Sequence, residues 1–211
     1  MTDMPIILGF DTSGPYCAAA LIKGPLIIAN RHEDMARGQA EHLFPMLEEM
    51  LASSRYRWQD LTAIGVGIGP GNFTGIRISV AAARGLSLSL GIPAVGVTTL
   101  DAASFGVERP VTAVVDARRD RVYARDYPGE APVLVPLEDL RAAHVTGPAA
   151  ELAAAQCGAD VRPGIYPVAE AIARIARQRF ADTTEPPAPL YIRPADAAPS
   201  RDEPPVILDD A

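Results

Sequence analysis

Five glycines and one proline fall between Gly65 and Gly75, in the stretch GVGIGPGNFTG. An apolar run, AIGVGI, leads into this stretch, and a long helical run, IRISVAAARGLSLSL, leads out of it. A strand, a glycine turn and a helix start bring backbone N–H groups together at a point that suits an anion. The chemistry implied is that of phosphate or a nucleotide. Asp11-Thr12-Ser13-Gly14 closes the first apolar run of the chain. An Asp and two hydroxyls at a strand end can hold a metal-bound phosphate. The same composition also makes a polar turn that hydrogen-bonds to itself.

The side chains that would complete such chemistry are scarce. No Lys follows the loop at the GxxxxGK[ST] spacing, so it is not a Walker A motif. Nor does it fit a dinucleotide fingerprint with an acid on the following strand. Gly69, Gly71 and Thr74 therefore have two readings: an anion cradle, or a tight turn in which Thr74 caps the helix. Arg77, in the first turn, is placed either to meet an anion or to pair with an acid. His32, His42 and His144 have no second ligand at a zinc-helix spacing. No nucleophile elbow is present. His42 reads as a packing or capping residue.

Composition narrows the function further. The 211 residues have room for one large or two small domains. With 48% hydrophobic and 21% charged residues, the chain is ordinary for a globular protein. Its net charge is −7, with Lys23 as the single lysine. Binding to a phosphate backbone rests on clustered Lys and Arg. The densest basic patch, Arg118, Arg119 and Arg121, is interrupted by Asp116 and Asp120. No apolar run reaches the roughly 18 residues of a membrane span. The start, MTDMPIILGF, carries an acid and no basic stretch, so it does not read as a signal peptide. Cys17 and Cys157 lack metal or redox spacing and read as reduced thiols. A cytoplasmic protein without a membrane partner is expected.

The elements that must position these residues follow from periodicity. Residues 5–12 read as a buried strand, and 16–23 and 26–32 as two further strands of a meander. Leu43, Met46, Leu47, Met50 and Leu51 recur at helical spacing and predict a helix over 38–54. Pro45 within it implies a late start or a kink. Strands are expected at 63–68 and 92–97, and helices at 74–90 and 98–105, the latter capped by Thr98 or Thr99. A hairpin over 111–127 turns near 118–120. Residues 129–136 read as loop, and 137–143, 149–157 and 168–180 as helices. Seven prolines from Pro186 onward predict an extended tail. The helix over 74–90 is apolar nearly all round, with only Arg77 and Arg84 charged. Such a helix must be covered on both sides. Ala81, Ala82 and Gly85 would let another helix come close, from this chain or from a partner.

These motifs converge on a known family. ILGFDTSGPYCAAAL resembles the first two strands of the actin-like (ASKHA) ATPase fold. A narrower set is HLFPML at 42–47, GPGNFTGIR at 69–77 and GVTTL at 96–100. It continues with VDAR at 115–118, Val122-Tyr123, and PLYIR at 189–193. Together they resemble the TsaB (YeaZ) family of bacterial proteins over roughly residues 5–194. That resemblance implies a role in forming threonylcarbamoyladenosine at tRNA position 37. It implies a non-catalytic paralogue of the transferase subunit TsaD, pairing with TsaD through N-terminal helices and joined by the ATPase TsaE. TsaD carries an HxxxH metal pair on a helix. Here the comparable helix has His42 with Met46 at i+4.

The expectation is a two-lobed α/β protein of the actin-like ATPase fold. Its lobes would be 1–106 and 107–194, with a Pro-rich tail at 195–211. Its function would be to bind and activate a TsaD-type subunit. His42, Leu43, Met46, Met50, Ile78, Ala81, Ala82 and Gly85 would form the partner surface, which could also pair two copies of the chain. Asp11, Thr12, Gly69, Gly71, Thr74 and Arg77 would form a vestigial nucleotide loop. No cofactor is expected for this chain alone. ATP and metal would belong to partner subunits, and tRNA contact would be indirect. The rival reading is an active ATPase or phosphotransferase of the same fold, with Mg–ATP held by Asp11, Thr12, Gly69 and Gly71. A metallopeptidase is a weaker rival, opposed by the missing histidine pair.

Overall fold

Every residue of β1 (Ile6–Asp11) is buried, because helices cover both faces of its sheet. Side chains alternate along a strand. Ile6, Leu8 and Phe10 enter one core, and Ile7 enters the other. The computed structural model describes residues 4–129 and 131–192. Its first sheet adds β2 (Tyr16–Lys23), β3 (Leu26–Asp34), β4 (Ala63–Gly67) and β5 (Ala94–Val97), in the order β3-β2-β1-β4-β5. β1–β3 form an antiparallel meander, while β4 and β5 run parallel to β1.

Two helices cover the Leu8 face. α1 (Gln39–Ser53) contributes Leu43, Met46, Leu47, Met50 and Leu51, the expected stripe. It starts at Gln39 and carries Pro45 inside, so the late start does not occur. α2 (Phe73–Leu90) is capped by Asn72, whose side chain accepts from the Gly75 N–H at 3.0 Å. The cap is thus Asn72 and not Thr74. α3 (Thr99–Ser104) is capped by Thr98, as expected.

The second sheet repeats the plan of the first. β6 (Val111–Asp116), β7 (Arg121–Tyr127) and β8 (Val133–Pro136) form a meander. β9 (His144–Thr146) and β10 (Asp160–Val161) then add in parallel. The order β8-β7-β6-β9-β10 reproduces that of the first sheet. α4 (Ala150–Cys157) packs with Val114, Val122 and Val145. Leu100 of α3 packs with Ala113 and Val115.

Three readings are corrected here. Residues 133–136 are a strand, not loop. The helix expected over 137–143 is a single 3-10 turn at Leu137–Asp139, after which Leu140 is extended. The chain must straighten there to enter β9 beside β6. Finally, α5 (Val168–Arg179) follows the second sheet in sequence but packs on the first, with Ile172 and Ala176 against Ile7, Ala63 and Val95. Gly9 and Gly65 let it approach: a Cβ on Gly9 would lie 2.6 Å from the Ala169 carbonyl, and one on Gly65 2.8 Å from Ala176 Cβ. Asp101 of α3 ties the lobes together. Its Oδ1 accepts from Arg125 at 3.1 Å and from the Tyr127 hydroxyl at 2.8 Å, and Arg179 of α5 lies 3.7 Å from its Oδ2. Residues 193–211, including Arg193 of the last motif and the expected tail, lie outside the described residues.

Candidate functional site: a closed glycine loop and an open helix groove

The glycine loop is packed against the β1–β2 turn. A Cβ on Gly67 would collide with the Asp11 carboxylate, and one on Gly75 with the Thr12 carbonyl oxygen. One on Gly71 would lie 2.6 Å from the Ser13 carbonyl oxygen. Gly69 is needed for another reason: its φ of 89° is a left-handed conformation that side-chain-bearing residues rarely adopt. Hydrogen bonds join the same segments. The Thr12 hydroxyl donates to the Gly75 carbonyl at 2.7 Å, and the Asn72 N–H donates to the Ser13 carbonyl at 2.6 Å. Ser79 of α2 donates to the Gly67 carbonyl at 3.1 Å.

Asp11 sits in this knot, 1% exposed. Its carboxylate accepts from the Ser13 N–H at 2.9 Å, the Ser13 hydroxyl at 2.8 Å and the Tyr16 hydroxyl at 2.8 Å. Burial pushes its pKa up from the ordinary value, against the opposing pull of these donors. Burial beside Asp11 also raises the Tyr16 phenol. Arg77 does not turn toward the helix N-terminus. Its guanidinium lies 4.0 Å from the centre of the Phe73 ring, and its Nε donates to the Tyr191 hydroxyl at 3.0 Å. Thr74 is exposed and lines a cleft of about 700 Å³ between the lobes, with Ser13, Asn72, Asp116 and Arg118. Arg118, Arg119 and Asp120 at its rim have φ of 61°, 52° and 54°. Three successive non-glycine residues in the left-handed region store backbone strain. The loop residues named from sequence are thus together in space, apart from the Arg77 side chain.

The histidines are each paired with an acid. His42 Nε2 lies 2.7 Å from Glu33, His32 Nε2 3.2 Å from Asp34, and His144 Nδ1 3.8 Å from Asp160. Among the described residues no group of three or more His, Cys, Asp or Glu side chains could hold a metal. Met46, at the i+4 position from His42, is 1% exposed and lies in the core. Cys17 is buried, its thiol pushed up to about 11 by burial.

The second feature is a groove between α1 and α2, about 540 Å³ in volume. Its walls are Ala40, Leu43 and Phe44 of α1, and Ile78, Ala81, Ala82, Gly85 and Leu86 of α2. Gly85 is exposed, and a Cβ built on it would meet nothing within 4 Å. Phe44 is 39% exposed, and Leu88, farther along α2, is 87% exposed. The expected partner surface divides here. Ile78, Ala81, Ala82 and Gly85 do line one groove. Leu43 forms its floor but is itself 1% exposed. Met46 and Met50 do not reach the groove, because the first sheet takes the whole α1 stripe. His42 faces Glu33 of β3 instead. Phe44, Ala40 and Leu86 were missed. The i, i+4 spacing of Ala40 and Phe44, one step round from Leu43, was the available signal.

Two sheets of the same strand order, a cleft between them and helices on their faces define a two-lobed α/β protein of the actin-like ATPase fold. Residues 28–159 match the family model described as TsaD, tRNA N6-adenosine threonylcarbamoyltransferase. A protein of uncharacterised function from Mycobacterium tuberculosis H37Rv is 34% identical over 198 residues, covering 92% of this chain and 94% of its own. The tRNA threonylcarbamoyladenosine biosynthesis protein TsaB of Escherichia coli K12 is 35% identical over 127 residues. That match takes in 57% of this chain and 54% of the relative. The structure of YeaZ from Pseudomonas aeruginosa superposes with a TM-score of 0.76 at 25% identity, covering 89% of this chain and all of that one. The chain belongs to the TsaB (YeaZ) family, which takes part in threonylcarbamoyladenosine biosynthesis.

Proposed function

We propose that this chain is a non-catalytic subunit that binds and activates a TsaD-type threonylcarbamoyltransferase. The observation that carries the reading is the α1–α2 groove. It is apolar, it lies on two rigid helices, and it has open space at Gly85 where another helix can approach. Small residues permit close helix packing, and partly exposed Phe44 and Leu88 supply apolar area to bury. The same surface would pair two copies of the chain when the partner is absent. A TsaE-type ATPase would join the pair. ATP and metal would be held by those partner subunits, and tRNA would be contacted through them. In a protein of this family, a cytoplasmic location fits.

The knotted glycine loop supports a non-catalytic role. Its carbonyls and glycine faces are taken up within the chain, where a nucleotide's phosphates would need them free. The rival reading, an ATPase, rests on the cleft of about 700 Å³ and on Asp11. The deciding experiment is calorimetry of the chain with the TsaD-type subunit from the same organism, repeated with Ala81→Arg. Saturable one-to-one binding that Ala81→Arg abolishes is the expected result. Absence of binding, or binding indifferent to Ala81→Arg, would overturn the proposal.

A further inference from the structure

The described chain stops beside the groove. Residues 186–192 return along the first lobe, with Pro187 buried and the Leu190 N–H donating to the Ile68 carbonyl at 2.9 Å. The Tyr191 ring lies 5.4 Å from that of Phe73, and its hydroxyl accepts from Arg77. Arg77 immediately precedes Ile78, the first groove residue on α2. The chain thus leaves the described region at Ile192, anchored to the first turn of the helix that forms one groove wall.

Residues 193–211 read RPADAAPSRDEPPVILDDA. Residues 193–205 contain no apolar residue larger than alanine or proline. Val206-Ile207-Leu208 then follow as one run, with Pro204-Pro205 before them and Asp209-Asp210 after. Three adjacent large apolar side chains gain from leaving water. The α1–α2 groove is an apolar surface of matching kind. The acids after the triplet also find opposite charge on α2, whose charged residues are Arg77 and Arg84.

The lengths agree. From Phe73 to Gly85 along α2 is about 18 Å at 1.5 Å per residue. The spacer 193–205 spans about 20 Å as a random coil and about 40 Å as an extended chain. A tether whose mean length matches its span presents its ligand at an effective concentration on the order of millimolar. Even an intrinsic dissociation constant of about 0.1 mM would then keep the groove roughly nine-tenths occupied.

We propose that Val206–Ile207–Leu208 docks in the α1–α2 groove of its own chain and competes there with a partner helix. The docking stands on its own; the competition rests on the function proposed above. The test is methyl NMR of the full chain against the variant Val206→Ser, Ile207→Ser, Leu208→Ser. The Ile78 and Leu86 methyl signals should differ between the two, and the difference should persist on dilution. A synthetic peptide of residues 201–211 added to the variant should restore the original positions. Identical spectra would overturn the docking. A difference that vanishes on dilution would also overturn it, since the occupant would then be a second copy. In a parallel titration the triple variant should bind the TsaD-type subunit about tenfold more tightly. Docking with unchanged partner affinity would sustain the cis occupant and overturn the groove as the partner surface.

Discussion

Gly85→Leu should strengthen the monomer and weaken its association, two effects that pull in opposite directions. Glycine in a helix interior is worse than leucine by about 0.5–1 kcal/mol. A new Cβ at Gly85 meets nothing within 4 Å, so no strain offsets that gain. The urea midpoint of the isolated chain should therefore rise. The new side chain projects into the groove between Ala81 and Leu86, where a partner helix would need to come close. Blocking a central contact of that kind costs on the order of 2 kcal/mol or more, about 30-fold in dissociation constant. Paired denaturation and calorimetry read both effects in one variant. A lower midpoint would refute the open-space argument. An unchanged affinity for the TsaD-type subunit would refute the groove as its docking surface. Ala82 is a poor site for the same test. It is 8% exposed and belongs to the first core, so Ala82→Arg should unfold the monomer. Ala81, exposed on the same face, avoids this.

Three further outcomes are expected. Burial holds the Asp11 carboxyl above its ordinary value, so the folded chain keeps that proton where the unfolded chain has lost it. Asp11 therefore costs stability as pH rises through its folded value, and Asp11→Asn should gain more over the parent at pH 7 than at pH 5; equal urea-midpoint differences at both pH values would refute this. Gly75→Ala should destabilise by about 3 kcal/mol or more, because the methyl group collides with the Thr12 carbonyl and both loops are pinned; a near-parental melting temperature would show that the turn can yield. The isolated chain, at net charge −7, should neither turn over Mg–ATP nor shift tRNA at physiological salt; turnover lost on Asp11→Asn would replace the scaffold reading with the ATPase one.

The first half of the fold was legible because its strands and helices are long. Ile6 to Asp11 and the Leu43–Leu51 stripe carry enough period to declare themselves. β9 and β10, with three and two residues, carry none. Leu137 and Leu140 mimic a helix at i, i+3, yet parallel pairing of the next residues with β6 demands an extended chain. The return of α5 to the first sheet was out of reach for a different reason. Its partners are Gly9 and Gly65, and a glycine in a strand does not announce which neighbour it admits. The site was half legible. Glycine spacing located the loop, but whether its concave face holds an anion or another loop depends on Ser13 and Thr12, sixty residues away in sequence. Met46 and Met50 were assigned outward because a periodic stripe gives a face and not its neighbour.

The closed loop and the open groove are two sides of one helix. On its inner side α2 is fixed by Thr12 at Gly75, by Ser13 at Asn72 and by Ser79 at Gly67. These bonds span the first turn and a half and leave that end of the helix little freedom to move. Its outer side carries Ile78, Ala81 and Gly85, which make no such bonds and face the groove. A docking surface gains affinity when it is ordered before the partner arrives, because less conformational entropy is lost on binding. In this arrangement the glycine loop need not hold a phosphate to matter. Its close packing anchors α2 against the sheet, and that anchoring keeps the groove in shape for whatever helix or segment fills it.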